Sequence, residues 1–81
     1  MHYTVVFFTH SGAIKFERRM SKLNVSCSLH PVPRKISSSC GICAKICFDE
    51  NINDLIEDEI QSLYKDISKN QYELIYTHEN E

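Results

Sequence analysis

The residues with the clearest capacity for chemistry lie in one proline- and serine-rich stretch, residues 31–43. Two prolines, three consecutive serines and a glycine interrupt two apolar runs here, and this composition predicts a loop. Cys40 lies near the end of the loop, and the basic residues Arg34 and Lys35 precede it. Because positive charge and hydrogen-bond donors stabilise a thiolate, Cys40 is the first candidate for a reactive sulfur.

The residues next to Cys40 suit a turn that holds an anion. Ser37, Ser38 and Ser39 precede the cysteine, and Gly41 follows it. We expect the amides from Ser38 to Gly41 to form an anion-binding nest, with Gly41 turning the chain at no steric cost. The alternative is that Cys40 is a small half-buried residue and that the serine hydroxyls only satisfy their own turn.

Cys43 lies three residues after Cys40, and this C-x-x-C spacing raises the hypothesis of thiol–disulfide exchange. On one extended strand the two side chains would point to opposite faces, with Cα atoms about 10 Å apart, beyond the roughly 7 Å limit for a disulfide. A bridge therefore requires the chain to turn at Gly41.

Metal binding is a further hypothesis, because Cys47 and His30 add to Cys40 and Cys43 the ligand types of zinc or an iron–sulfur cluster. Only one C-x-x-C is present, and on a strand Cys43 and Cys47 would lie about 13 Å apart. We therefore predict no metal and no other cofactor. Cys27 is expected to be a core residue.

Size and charge exclude several classes of protein. The chain has 81 residues and a net charge of -2, and its nine basic residues form no single stripe, so we expect no binding to nucleic acid or membrane. The N-terminal apolar run is too short to span a bilayer and lacks the basic start of a signal peptide, which predicts a cytoplasmic protein with free thiols. Residues 1–78 are expected to form one domain, with a frayed tail at 79–81.

Hydrophobic periodicity, together with β-branched and aromatic composition, predicts six elements. They are a strand over 2–9, a helix with Ser11 as its N-cap and Asn24 at its end, strands over 25–30 and 42–48, a helix over 51–67 and a strand over 72–76. This order predicts an α+β, ferredoxin-like βαββαβ sandwich, with two helices on one face of a four-stranded antiparallel sheet. The open face, which would carry Val6 and Phe8, is expected to be covered by a partner or by a second copy in a homodimer.

The prediction of the second helix depends on spacing and charge. One helical face would hold Ile52, Leu55, Ile56, Ile60, Leu63, Tyr64 and Ile67. Acidic residues come early in this segment and lysines late, which suits the helix dipole.

The run Pro33–Gly41, PRKISSSCG, in a chain of about this length resembles the selenium/sulfur carrier protein-like family of small bacterial domains. The resemblance extends from the first strand through the first helix and the motif to the last strand. It implies that Cys40 accepts a persulfide or selenide from a donor protein such as a cysteine desulfurase, for a downstream acceptor protein. Cys43 and Cys47 are additions to the family pattern.

Three functions are compatible with these residues. The first is a sulfur or selenium carrier; such a short chain without a cofactor motif is expected to be a carrier or binding protein more than a stand-alone enzyme. The second is a redox module of Cys40 and Cys43, and the two uses are compatible because Cys43 could resolve a persulfide on Cys40. The third is a non-catalytic protein-interaction module.

Overall fold

The computed structural model describes residues 1–78, and the predicted tail at 79–81 lies outside the described residues. The elements are β1 (His2–Phe7), α1 (His10–Lys22), β2 (Ser26–Pro31), β3 (Ile42–Cys47), a 3-10 helix η1 (Ile52–Leu55), β4 (Ile60–Ser68) and β5 (Gln71–Thr77). The strands form one antiparallel sheet in the order β2-β3-β1-β4-β5. The α+β class is confirmed, but the ferredoxin-like arrangement of four strands and two helices is wrong.

Helix α1 begins and ends at clear local signals. The Thr9 hydroxyl accepts the N–H of Gly12 at 3.0 Å, so the cap is Thr9 and not the predicted Ser11. Asn24 ends the helix in the left-handed region, with a φ of 58°, as the sequence predicts. Three side chains of α1 pack into the core: Ala13, Phe16 and Met20. Of the helices within residues 1–78, none has the length and apolar character needed to cross a bilayer.

The predicted helix over 51–67 is wrong, because its first part forms η1 and its second part forms β4. The register between β4 and β1 shifts at Gln61, which is an extra residue in β4 and forms a β-bulge. Because of the bulge, Ile60 and Leu63 both belong to the core cluster on the side of α1. The three-residue spacing of Ile60 and Leu63, which indicates a helix in the sequence, is thus also produced by a bulged strand.

Contacts with α1 determine the path of the segment before β4. The guanidinium of Arg19 donates to the carbonyl oxygens of Asp54 and Leu55 at 3.1 and 3.2 Å. It also pairs with the Glu57 carboxylate at 2.8 Å. η1 buries Ile52 and Leu55. Since a charged donor satisfies these carbonyls, the segment ends after one turn without further helical hydrogen bonds.

Both faces of the sheet are packed. Between the sheet and α1 lies the main core cluster, which we call the helix-side core. On the opposite face, which we call the second face, Val6 and Cys43 are buried together with Ile36, which is 6% exposed. Ile36 belongs to the connection between β2 and β3, residues 32–41, which we call the Cys40 loop. Part of the face for which we predicted a partner or a second copy is therefore covered by this chain's own loop.

A polar network occupies another part of the second face. Thr4 is 0% exposed; its hydroxyl donates to Asp66 Oδ1 at 2.8 Å and accepts from Lys45 Nζ at 2.8 Å. Lys45 Nζ also lies 3.5 Å from Asp66 Oδ2 and 4.9 Å from the centroid of the Tyr72 ring. Each polar group of this network has a partner, which is what burial of charged groups requires.

Replacing Thr4 with valine keeps the shape of the side chain but removes the hydroxyl that joins Asp66 to Lys45. We expect the free energy of unfolding to fall by about 1–3 kcal/mol, measured by urea unfolding followed by circular dichroism. The control is Thr77→Val, an exposed position of β5, where a change below about 0.5 kcal/mol is expected. Equal stability of Thr4→Val and the natural protein would contradict the network.

Candidate functional site

The backbone around Cys40 forms a tight turn, Ser38–Gly41, which we call the Cys40 turn. The Ser38 hydroxyl accepts the N–H of Cys40 at 3.2 Å and the N–H of Gly41 at 3.0 Å. Gly41 has a φ of 77°, in the left-handed region, where a residue with a side chain would be strained. The turn that the sequence predicts at Gly41 is therefore confirmed.

Cys40 is half-buried and packs against the helix-side core. Sγ lies 3.4 Å from the carbonyl oxygen of Ile42, which only accepts, so the thiol donates to it. The Ser38 hydroxyl lies 4.0 Å from Sγ on its donating side, which is the outer limit of a sulfur contact. Since this hydroxyl already accepts two amide N–H groups, its own hydrogen is polarised and available to the sulfur.

Two residues distant in sequence hold the Cys40 turn in place. His10, the first residue of α1, places Nε2 at 2.7 Å from the carbonyl oxygen of Cys40, so Nε2 carries the hydrogen. Gln61, the bulge residue of β4, accepts the N–H of Ser39 at 3.0 Å through Oε1. No sequence pattern pointed to either residue, because only the tertiary fold brings α1 and β4 to the turn.

The amides of the turn are arranged differently from the predicted nest. Cys40 and Gly41 direct their N–H groups to the Ser38 hydroxyl, and Ser39 directs its N–H group to Gln61. The amides of Cys40 and Gly41 therefore act on the sulfur only through the serine hydroxyl, and the amide of Ser39 is bonded to Gln61 instead. The neutral Ser38 hydroxyl therefore contacts the Cys40 sulfur where we had predicted several direct contacts from backbone amides.

The basic residues of the loop also differ from expectation. Lys35 Nζ donates to the carbonyl oxygen of Asn70, between β4 and β5, at 2.9 Å. The loop folds over the second face and places this ammonium beside the turn between β4 and β5. Lys35 is therefore bonded to Asn70 and does not supply the positive charge that we predicted beside Cys40. The side chains of Arg34 and Ser37 are exposed and form no hydrogen bond within residues 1–78.

Cys43 lies in a different environment from Cys40. It is 0% exposed in the second-face cluster with Ile36, and its Sγ lies 3.7 Å from the carbonyl oxygen of Pro31. Burial raises the pKa of the Cys43 thiol, although the nearby Lys45 ammonium opposes the shift. Cys40 packs on the other side of the sheet and both thiols are free, so the dithiol pair is not assembled in this conformation.

The remaining ligand candidates do not converge. Cys47 is exposed on β3, and the His30 ring bonds to the Ser28 hydroxyl at 2.8 Å. Burial raises the pKa of the Cys27 thiol to about 11, and the Glu17 carboxylate adds to the shift. Across residues 1–78, no three His, Cys, Asp or Glu side chains lie close enough together to hold a metal ion.

The four thiols should differ in their rates of alkylation. Because a raised pKa leaves less thiolate near neutral pH, iodoacetamide should modify Cys47 and Cys40 well before Cys43 and Cys27. Peptide mass spectrometry after short exposures measures the order. In guanidinium, where burial is lost, all four should react at similar rates. Native alkylation of Cys43 as fast as that of Cys47 would contradict the packing described here.

Comparison with known proteins adds to this geometry. A family model described as Putative Se/S carrier protein-like matches residues 2–74. No curated protein and no solved structure gives a significant match. The matched range contains β1, α1, the Cys40 turn and all of β4. It spans most of the chain, and the protein therefore belongs to the Se/S carrier protein-like family.

Proposed function

We propose that this protein carries sulfur or selenium and that Cys40 is the acceptor of a persulfide or selenide. The observation that carries the proposal is the Ser38 hydroxyl, which accepts two amide N–H groups and lies 4.0 Å from Sγ of Cys40 as its donor. Membership in the family supports the same residue, because Cys40 lies within the matched range. Cys40 is partly exposed, which a residue that meets a donor protein requires.

The loading step conserves atoms and electrons. Cys40 loses its proton, and its thiolate attacks the terminal sulfur of a persulfide on a donor protein, such as a cysteine desulfurase. A bond forms between Sγ and the transferred sulfur, while the donor's own sulfur–sulfur bond breaks. The donor leaves as a thiolate and takes up the proton. The same exchange with a selenium atom gives the selenide form, and a downstream protein then accepts the atom.

The Cys40 turn supports this step in two ways. The polarised Ser38 hydroxyl can donate to a sulfur anion, and hydrogen bonds to charged groups contribute about 1.5–3 kcal/mol. His10 and Gln61 hold the backbone on both sides of the sulfur, so the donor persulfide meets a preorganised acceptor.

The burial of Cys43 favours the carrier over the redox module. A dithiol enzyme needs both sulfurs within bonding reach in its working conformation. Here Cys43 is closed into the second-face cluster, whereas Cys40 packs on the helix side. A carrier requires only the half-exposed Cys40.

Loading can be measured directly by intact mass after the reduced protein is incubated with a cysteine desulfurase and cysteine or selenocysteine. We expect the natural protein to gain one sulfur or selenium atom on Cys40. Cys40→Ser should gain none, and the matched control Cys47→Ser should load normally. No gain on the natural protein, or an equal gain on Cys40→Ser, would reject the carrier and leave the interaction module.

Removal of the Ser38 hydroxyl tests the support of the sulfur. Ser38→Ala should slow loading about tenfold, the effect of losing roughly 1.4 kcal/mol of hydrogen bonding to a charged sulfur. Ser38→Thr, which keeps the hydroxyl, should recover most of the rate. The control Ser37→Ala, at an exposed serine without hydrogen bonds among residues 1–78, should load as the natural protein does. Loading of Ser38→Ala at the natural rate would show that the hydroxyl does not act on the sulfur.

A further inference from the structure

The buried thiol of Cys43 is a nucleophile that the loading step does not use. It is 0% exposed, and it shares the second-face cluster with Val6 and Ile36. Its Sγ contacts the carbonyl oxygen of Pro31 at 3.7 Å. Ile36 and Val32, which pack in this cluster, come from the same loop that carries Cys40, and Tyr64 and Tyr72 pack against it from β4 and β5.

The Cys40 loop is held to the second face by few contacts. Ile36 is its one buried side chain, and Val32 packs beside it. The Lys35 ammonium adds a hydrogen bond to the carbonyl oxygen of Asn70 at 2.9 Å. The loop contains no strand or helix, and segments with few buried contacts open at a lower free energy than global unfolding. Ile36 is therefore the loop side chain whose release would open the cluster around Cys43 on the side of the loop.

We propose that the Cys40 loop is a latch over Cys43: when Ile36 leaves the second face, Cys43 attacks a persulfide on Cys40 and releases the carried atom as sulfide or selenide. The inference rests on the proposed carrier function and adds a release activity to it. While the latch is closed, the two sulfurs belong to clusters on opposite sides of the sheet, which keeps the carried atom in place.

The release step balances without an oxidant. The thiolate of Cys43, after losing its proton to solvent, attacks Sγ of the Cys40 persulfide. A disulfide bond forms between Cys43 and Cys40, and the bond between Sγ and the terminal sulfur breaks. The terminal sulfur leaves with the electron pair as hydrosulfide. An external dithiol then reduces the disulfide and restores both thiols.

The geometry of the turn makes such a bond reachable once the loop has opened. A disulfide requires Cα atoms about 4.4–6.8 Å apart, which an extended chain cannot provide over three residues. Gly41 has a φ of 77° and already turns the chain between the two cysteines. Glycine adopts both positive and negative φ at little cost. The Cys40 turn can therefore bring Sγ toward Cys43 once Ile36 has left the second face and the bonds from His10 and Gln61 to the turn have opened.

Single-turnover release tests the latch. The natural protein, Ile36→Ala, Cys43→Ser and the double variant are loaded on Cys40, separated from the donor and followed with a sulfide probe and by intact mass. We expect Ile36→Ala to release sulfide about tenfold faster or more, because the truncated side chain closes the loop less firmly. This release should produce the Cys40–Cys43 disulfide. Cys43→Ser and the double variant should release slowly.

Two further variants separate the latch from general loss of stability. Ile52→Ala truncates a buried side chain of the helix-side core and should not speed release. Lys35→Gln removes the bond to Asn70 without touching either core cluster and should speed release modestly, so the test stands even if Ile36→Ala folds poorly. In unloaded Ile36→Ala, iodoacetamide should reach Cys43 faster than in the natural protein.

The outcomes distinguish this inference from the function on which it rests. Normal loading with equal release from the natural protein, Ile36→Ala and Lys35→Gln would overturn the latch alone. Equal release from Ile36→Ala and the double variant would overturn the role of Cys43. Absence of loading on every variant would overturn the carrier function and the release activity with it.

Discussion

Packing of Ile36 onto Val6 and Cys43 is the contact on which the arrangement of the site depends. A five-stranded sheet has two faces to bury, and α1 covers only one of them. The Cys40 loop lies over part of the other face, and Ile36, with Val32 packed beside it, anchors it there. That anchor decides where the rest of the loop lies. It carries Lys35 to Asn70 and leaves the Cys40 turn at the end of the sheet, beside the start of α1.

The β-bulge of β4 connects the fold to the site. One extra residue lets Ile60 and Leu63 enter the same core cluster, and that extra residue is Gln61. Its side chain accepts the N–H of Ser39 and so holds the Cys40 turn from the side of the sheet. β-Bulges are common near functional sites, where they change the direction in which a side chain points. Here the irregular residue is one of the two anchors of the turn, and His10 of α1 is the other.

The chemistry of the site depends on neutral donors more than on cations. The Ser38 hydroxyl accepts two amide N–H groups and lies near the sulfur, so the dipoles of these two amides act on Cys40 through one oxygen. A neutral donor supports a sulfur anion without forming an ion pair that would hold it tightly. This suits the carrier function that we propose, and the chain belongs to the Se/S carrier protein-like family.

The sequence by itself determined the elements that local patterns encode. Alternation identified β2 and β3, β-branched and aromatic composition identified β1, and the run after the Lys69-Asn70 turn identified β5. Helical spacing identified α1, and proline, serine and glycine identified the Cys40 loop. The same composition singled out Cys40 and the turn at Gly41. These features are local, because a backbone conformation and its side-chain period depend on neighbouring residues.

Only the tertiary structure decided the rest. Residues 51–67 have a helical period, but the bulge at Gln61 gives a strand the same spacing, and pairing with β1 selects the strand. The burial of Ile36 and the engagement of Lys35 with Asn70 join positions distant in sequence, as do the anchors of the Cys40 turn. Local periodicity does not predict such contacts, because they form only when the sheet has assembled and brought distant segments together.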